Sequence, residues 1–184
     1  MFNHLSVASA FSFKYGTTQP HDLVARAAQF GAPALAITDR DSLAGVIRFV
    51  QAAKDFGIAP IVGVNLALDN SRVTLLAQSG TGTDSGWRSL CRLMSALRPD
   101  RNPPTLHLEK IKTLSEYTSN LILLHGPDSQ IANLITKHRP DQALHEFNKY
   151  RPYFADSVIE CVSHLAPGDG QRSTGHAGRM LGFA

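Results

Sequence analysis

This 184-residue chain has only 2 cysteines, Cys91 and Cys161. They lack C-x-x-C spacing, which argues against a zinc clip or a disulfide framework and reads as buried thiols in a reducing compartment. No apolar run is long enough to span a bilayer, and the amino terminus lacks the charged start and apolar core of a secretory signal, so the expected location is cytoplasmic. Charge of one sign is never blocked. The 18 Lys and Arg against 15 Asp and Glu leave a net charge of +3 and a pI near 9.0, and any electropositive face has to be assembled by folding.

Catalytic signatures are equally scarce. His4, His21, His107, His125, His138, His145, His164 and His176 show no H-x-H, H-x-x-x-H or H-E-x-x-H spacing. His125 and His164 follow strand signals and could share a pocket, but two histidines without a carboxylate in register make a poor metal site. Nothing like G-x-S-x-G surrounds Ser9 or Ser12, so neither reads as a nucleophile. Gly80, Gly82 and Gly86 spell G-x-G-x-x-x-G, yet they follow the fourth strand signal, and the stretch that should supply the acidic partner reads "LRPDRNPP". A dinucleotide fingerprint belongs on the first strand-to-helix turn, so this loop reads as a surface connection.

What is present is a 43% hydrophobic chain, enough for one sizeable core and one domain. Strand and helix patterns alternate. Asn3 to Ala8 opens as a strand. Thr18 and Pro20 start a helix on which Leu23, Ala27 and Phe30 face one way until Gly31. "ALAIT" is a strand, Leu43 to Phe56 a helix, and "IAPIVGVNLAL" and "RVTLLAQ" two strands around an Asp69-Asn70-Ser71 turn. Trp87 to Leu97 is a helix with a Leu90, Leu93, Met94, Leu97 stripe. "RPDRNPPT" reads as a surface connection and "NLILLH" as a strand. Ser129 to Tyr150 is helical with a break at Pro140, "SVIECVS" is a strand, and Ser173 to Leu181 a closing helix. Such alternation predicts an α/β fold with a parallel or mostly parallel sheet, open or closed into a barrel.

One charged stretch stands at a strand's carboxyl end, where α/β proteins keep their chemistry: Thr38-Asp39-Arg40-Asp41-Ser42. Its plain reading is an Asp41 or Ser42 helix cap with Arg40 paired to a nearby carboxylate.

Longer motifs carry a resemblance. "YGTTQPHDLVARAA", "LAITDRDSLAGVIRF" and "GIAPIVGV", followed by "RVTLLAQ", "WRSLCRLM" and "NLILLHGP", resemble the PHP (polymerase and histidinol phosphatase) domain at the start of bacterial family-C DNA polymerase III alpha subunits, closest to the error-prone, translesion branch. The resemblance covers nearly the whole chain and is most specific in its first third. It implies a distorted (βα)7 barrel over residues 1–184, incomplete at its carboxyl end, where the family continues through a further strand. Active members hold zinc or manganese at the strand ends for phosphoester hydrolysis, which needs His and carboxylate ligands from several strands. At the matching positions this chain carries Ser6 and Ala8 in place of H-x-H, then Tyr15, Arg40, Asn65, Arg72 and, near the late ligand, Pro127.

The resemblance therefore implies a domain without catalytic metal or cofactor, its cleft lined by Asp39, Arg40, Asn65, Arg72 and His125, with Arg40 and Arg72 pairing to Asp39. Its expected role is scaffolding. The partners would be the palm and thumb of a polymerase that meets DNA and uses magnesium in its own domains. Two other readings stand beside it: a phosphoesterase of the histidinol phosphatase type, and a noncatalytic nucleic-acid or protein-binding module using Arg40, Arg72, Arg88 and Arg92.

Overall fold

A computed structural model of the chain describes residues 3–79, 85–97, 103–159 and 174–183. Gly80, Gly82, Cys161 and His164 lie outside these residues, as do parts of the "RPDRNPPT" and "SVIECVS" segments.

In chain order the elements are α1 (Pro20–Gln29), β1 (Ala34–Ile37), α2 (Val46–Asp55), β2 (Ala59–Leu68), β3 (Ser71–Ala77), α3 (Gly86–Ala96), β4 (Thr105–Leu106), α4 (Leu108–Thr113), α5 (Ser115–Thr118), β5 (Leu121–His125), α6 (Gln130–Thr136), α7 (Pro140–Tyr150), β6 (Asp156–Ile159) and α8 (Thr174–Phe183). The strands form a six-stranded sheet of order β1-β2-β3-β5-β6, with β4 added beside β2. The α/β class is as expected, but the sheet is mixed. β1 with β2, β2 with β4 and β5 with β6 run parallel, whereas β3 is antiparallel to both β2 and β5. The Asp69-Asn70 turn makes β2 and β3 a tight hairpin, and a two-residue connection can only join antiparallel strands.

β2 is long because its two halves serve different neighbours. Ala59 to Val62 pair with β1, and Gly63 to Leu68 pair with β3. Gly63 stands at the change-over, where a Cβ would lie 2.4 Å from the Leu75 carbonyl oxygen and 2.8 Å from Leu76 Cδ2. Only glycine lets the strands approach this closely.

The opening segment is not a strand. It touches β1 through a single parallel bridge, His4 with Leu35, and through hydrogen bonds from Ala36 N to the His4 oxygen and from Thr38 N to the Val7 oxygen. Thr38 Oγ1 accepts from Val7 N at 2.9 Å, so a side chain replaces a rung of the ladder. The missed elements are β4, α4 and α5, short pieces whose patterns are too brief to carry a period.

Side chains sort by strand parity. Val64, Leu66 and Leu68 of β2, Val73 and Leu75 of β3 and Leu121 and Leu123 of β5 pack with Leu90, Leu93, Met94 and Leu97, the stripe read from the sequence of α3. A second cluster joins Leu35 and Ile37 to Val24 and Ala27 of α1 and Val46, Phe49, Ala52 and Ala53 of α2. Within α1 the inward face is Val24 and Ala27, while Phe30 is 74% exposed instead of sharing their face, because it caps the helix just before the chain reverses at Gly31. A third cluster gathers Ile131, Ala132, Ile135, Ala143 and Met180. Cys91 is half-buried rather than buried, and partial burial pushes its thiol pKa up.

Candidate functional site

The opposite face of the sheet carries the polar residues. The pairs Asn65–Thr74 and Thr74–Leu124 place these three side chains on one face. Arg72, two residues from Thr74, shares it. Just beyond β1 the chain still follows β2: Arg40 bridges Asn65, Asn65 N donates to the Asp39 oxygen, and Asp41 N donates to the Asn65 oxygen. Residues far apart in sequence thus meet at the strand ends.

Arg72 is the centre of one cluster. Its Nε donates to Asn65 Oδ1 at 2.6 Å, and its Nη2 donates to the Asn65 carbonyl oxygen and to Asp41 Oδ1, both at 2.9 Å. Asn65 Nδ2 in turn donates to Thr74 Oγ1. Asp41 adopts φ 56°, a left-handed conformation that Asp tolerates better than most side chains. It is therefore an acceptor for Arg72 and not a helix cap. The residue before α2 is Gly45, without a side-chain cap, so Ser42 does not cap it either. Arg40 makes the second cluster. Its Nη2 lies 3.6 Å from Asp128 Oδ2, and its guanidinium carbon sits 3.4 Å from the centre of the Tyr15 ring. Asp128 joins the two clusters, because its backbone oxygen accepts from Arg72 N.

Asp39 takes neither arginine. Its Oδ1 accepts from Ser9 N and Ser12 Oγ, both at 2.6 Å, and its Oδ2 accepts from Ser9 Oγ at 2.8 Å. The carboxylate is 2% exposed, and both serines are fully buried. A buried carboxylate needs donors on its oxygens, and the loop after the opening segment supplies them. Ser9 and Ser12, which read as unpromising nucleophiles, are the clamp that holds this loop. Gly45 completes the pocket: a Cβ there would lie 2.8 Å from Asp39 Oδ2.

His125 does not belong to this face. Leu124 pairs with Thr74, so its neighbour His125 points the other way and meets Phe147 of α7, with ring centres 5.5 Å apart. It is 1% exposed, and burial pushes its pKa down to about 4, keeping the ring neutral. Ser6 is exposed, Ala8 and Pro127 are half-buried, and Tyr15 is 49% exposed beneath Arg40. Arg88 and Arg92 sit on the exposed side of α3, in the layer over the other face, so the four arginines do not form one patch.

A polar cluster that no motif announced lies at the β2–β3 turn. His107 Nδ1 is 2.7 Å from Asp69 Oδ1, and the Tyr150 hydroxyl donates to Glu146 and Asp69. Burial and these carboxylates push the Tyr150 pKa up, so the phenol stays protonated. Among the described residues no three His, Cys, Asp or Glu side chains gather closely enough to hold a metal ion, and no helix is long and apolar enough to cross a membrane.

The PHP domain family matches residues 4–164. The chain is 37% identical over its whole length to an error-prone DNA polymerase of Symbiobacterium thermophilum, of which it covers 18%. It is 34% identical over 85% of its length to a DNA polymerase III subunit alpha of Buchnera aphidicola, covering 14% of that protein. The chain thus spans less than a fifth of the length of these curated relatives. A solved structure of a proposed metal-dependent phosphoesterase from Bifidobacterium adolescentis is similar over 52% of this chain and 33% of the other, at 21% identity and a TM-score of 0.40, a likeness too partial to bear on the site.

Proposed function

The chain belongs to the PHP domain family, and from that premise we propose that it is a single PHP-like domain of an error-prone DNA polymerase III alpha subunit. In this reading the domain serves as scaffold and carries no catalytic metal. Its mixed sheet forms the larger part of a distorted (βα)7 barrel, and its partners are the palm and thumb domains of the same polypeptide. DNA is met through the polymerase, and magnesium is needed only in the polymerase domains.

One observation carries the reading. At the strand ends, where the resemblance expects metal ligands, stand two guanidinium groups: Arg72 hydrogen-bonded to Asn65 and Asp41, and Arg40 paired with Asp128 at 3.6 Å and stacked on Tyr15. Zinc or manganese does not fit these residues. A cation brought here would face two fixed positive charges, and each carboxylate that could receive it is engaged. Asp39 is turned inward to Ser9 and Ser12, and the buried imidazole of His125 lies on the far side of the sheet. The guanidinium groups stand in for the metal's charge, holding Asp41, Asp128 and Asn65 together without any ion to lose.

Two measurements test it. An assay with an activated phosphate ester in the presence of manganese or zinc is expected to give no metal-dependent turnover, whereas saturable turnover would favour the phosphoesterase reading. Removing the domain from the polymerase that carries it is expected to lower that enzyme's melting temperature, and an unchanged melting temperature would remove the scaffold role.

A further inference from the structure

The loop that Asp39 clamps has a feature the scaffold role leaves unused. Its base is rigid. Ala10 N donates to the Thr18 oxygen, Ser12 N to the Ser9 oxygen, and Tyr15 N and Gly16 N both to the Ser12 oxygen. At its tip Phe13 is 84% exposed, and Lys14 is held at φ 59°. A side-chain-bearing residue in this region is strained, and such strain persists only where the surroundings impose it. The turn thus leaves an apolar ring in water, the reverse of what packing alone would select.

Three aromatic rings of this loop, Phe11, Phe13 and Tyr15, each have a cation beside them. Lys14 Nζ lies 5.5 Å from the Phe13 ring centre, the Arg40 guanidinium 3.4 Å from that of Tyr15, and the Arg48 guanidinium 5.4 Å from that of Phe11. Among the described residues neither Lys14 nor Arg48 has a carboxylate within ion-pair distance. The nearby acids are occupied: Asp41 by Arg72, Asp128 by Arg40, and Asp39 by the two serines. A protein partner would ask for a contiguous apolar patch. Rings interleaved with unneutralised cations instead match a single strand, whose bases offer π faces and whose phosphates offer charge.

We propose that the Phe13-Lys14-Tyr15 tip is a docking site for single-stranded nucleic acid, Phe13 stacking on a base while Lys14 and Arg48 meet the flanking phosphates. The groups that meet the strand, Phe13, Lys14 and Arg48, occupy none of the positions where the resemblance expects a metal ligand.

The test is anisotropy of a fluorescein-labelled oligothymidine titrated with the full 184-residue chain in EDTA. Saturable binding that weakens with salt is expected. Phe13→Ala should weaken it about tenfold, the loss of one stacked base, and Lys14→Gln should flatten the log–log salt dependence by about 0.7. Phe13→Trp should retain affinity and show indole quenching on binding beyond any that Trp87 gives in the parent chain. This keeps the proposal open to refutation if the alanine variant folds poorly. The proposal is overturned by no binding at low salt, by binding indifferent to Phe13→Ala, by an unquenched indole, or by a duplex binding as tightly as the single strand.

Discussion

Neighbouring residues on β2 and β3 lead opposite lives. Val64, Leu66 and Leu75 are fully buried under α3. Asn65, Arg72 and Thr74 lie on the other face, where Thr74 bonds to Asn65 and Arg72 bonds to both Asn65 and Asp41. The apolar face is a sum of many small contacts, each replaceable by a side chain of like size. The polar face depends on a few partners, each matched to one acceptor, and losing one leaves another unsatisfied. The two faces therefore tolerate change differently. A strand end can exchange one set of chemical groups for another while the covered face keeps the fold.

The largest effect should come from the apolar side. Leu66→Ala, with Leu66 fully buried, should cost about 2–5 kcal/mol in chemical denaturation. A loss under about 1 kcal/mol would mean that this face is less tightly packed than the structure shows.

Next is acid sensitivity on the same covered side. The neutral His125 ring, its pKa brought down to about 4 by burial from an ordinary 6.5, lets the folded state bind fewer protons than the unfolded one. Its stability is fully present above pH 6.5 and is lost as pH falls from there to about 4, by roughly 3 kcal/mol in all. Melting temperature against pH should show this limb, and His125→Phe should flatten it.

On the polar side, Asp39→Ala should cost about 2 kcal/mol, because it strands the buried hydroxyls of Ser9 and Ser12. It should also speed amide exchange in the loop from Ser9 to Gly16. Smaller still, Arg72→Met should cost about 1 kcal/mol, since its pair with Asp41 is partly exposed at 22% and 27%. Arg40→Met should cost about 0.5 kcal/mol or less, the side chain being stacked on Tyr15 but open to water. If the arginine changes outweighed Leu66→Ala, the division between a stabilising face and a merely satisfied one would collapse.

The sequence reveals these two sides unequally. The α3 stripe, the long β2, the hairpin turn and the break at Pro140 are all local patterns, and local patterns are readable. The polar face is not local. Asp39 reaches Ser9 across 30 positions, and Arg72 reaches Asp41 across 31, so the match between Asp39 and the arginines that the resemblance implies is not the one that forms. One clue is present: a carboxylate at a strand end needs donors, and Ser9 and Ser12 are hydroxyls with no other role in the sequence reading. His125 was misassigned for a different reason. Standing at a strand's carboxyl end does not say which face a residue uses, and only the register with β3 decides it. The failed opening strand has a similar cause, since Thr38 uses its side chain where a ladder would use backbone.

On the proposed reading, the guanidinium groups of Arg40 and Arg72 take the place of metal ions at the strand ends. The most direct test of that reading is metal content by inductively coupled plasma mass spectrometry, on chain purified without chelator and dialysed against excess zinc and manganese. Far less than one equivalent of either metal is expected, unchanged in the Asp39→Asn variant. One or more equivalents of zinc or manganese per chain, lost in that variant, would contradict it.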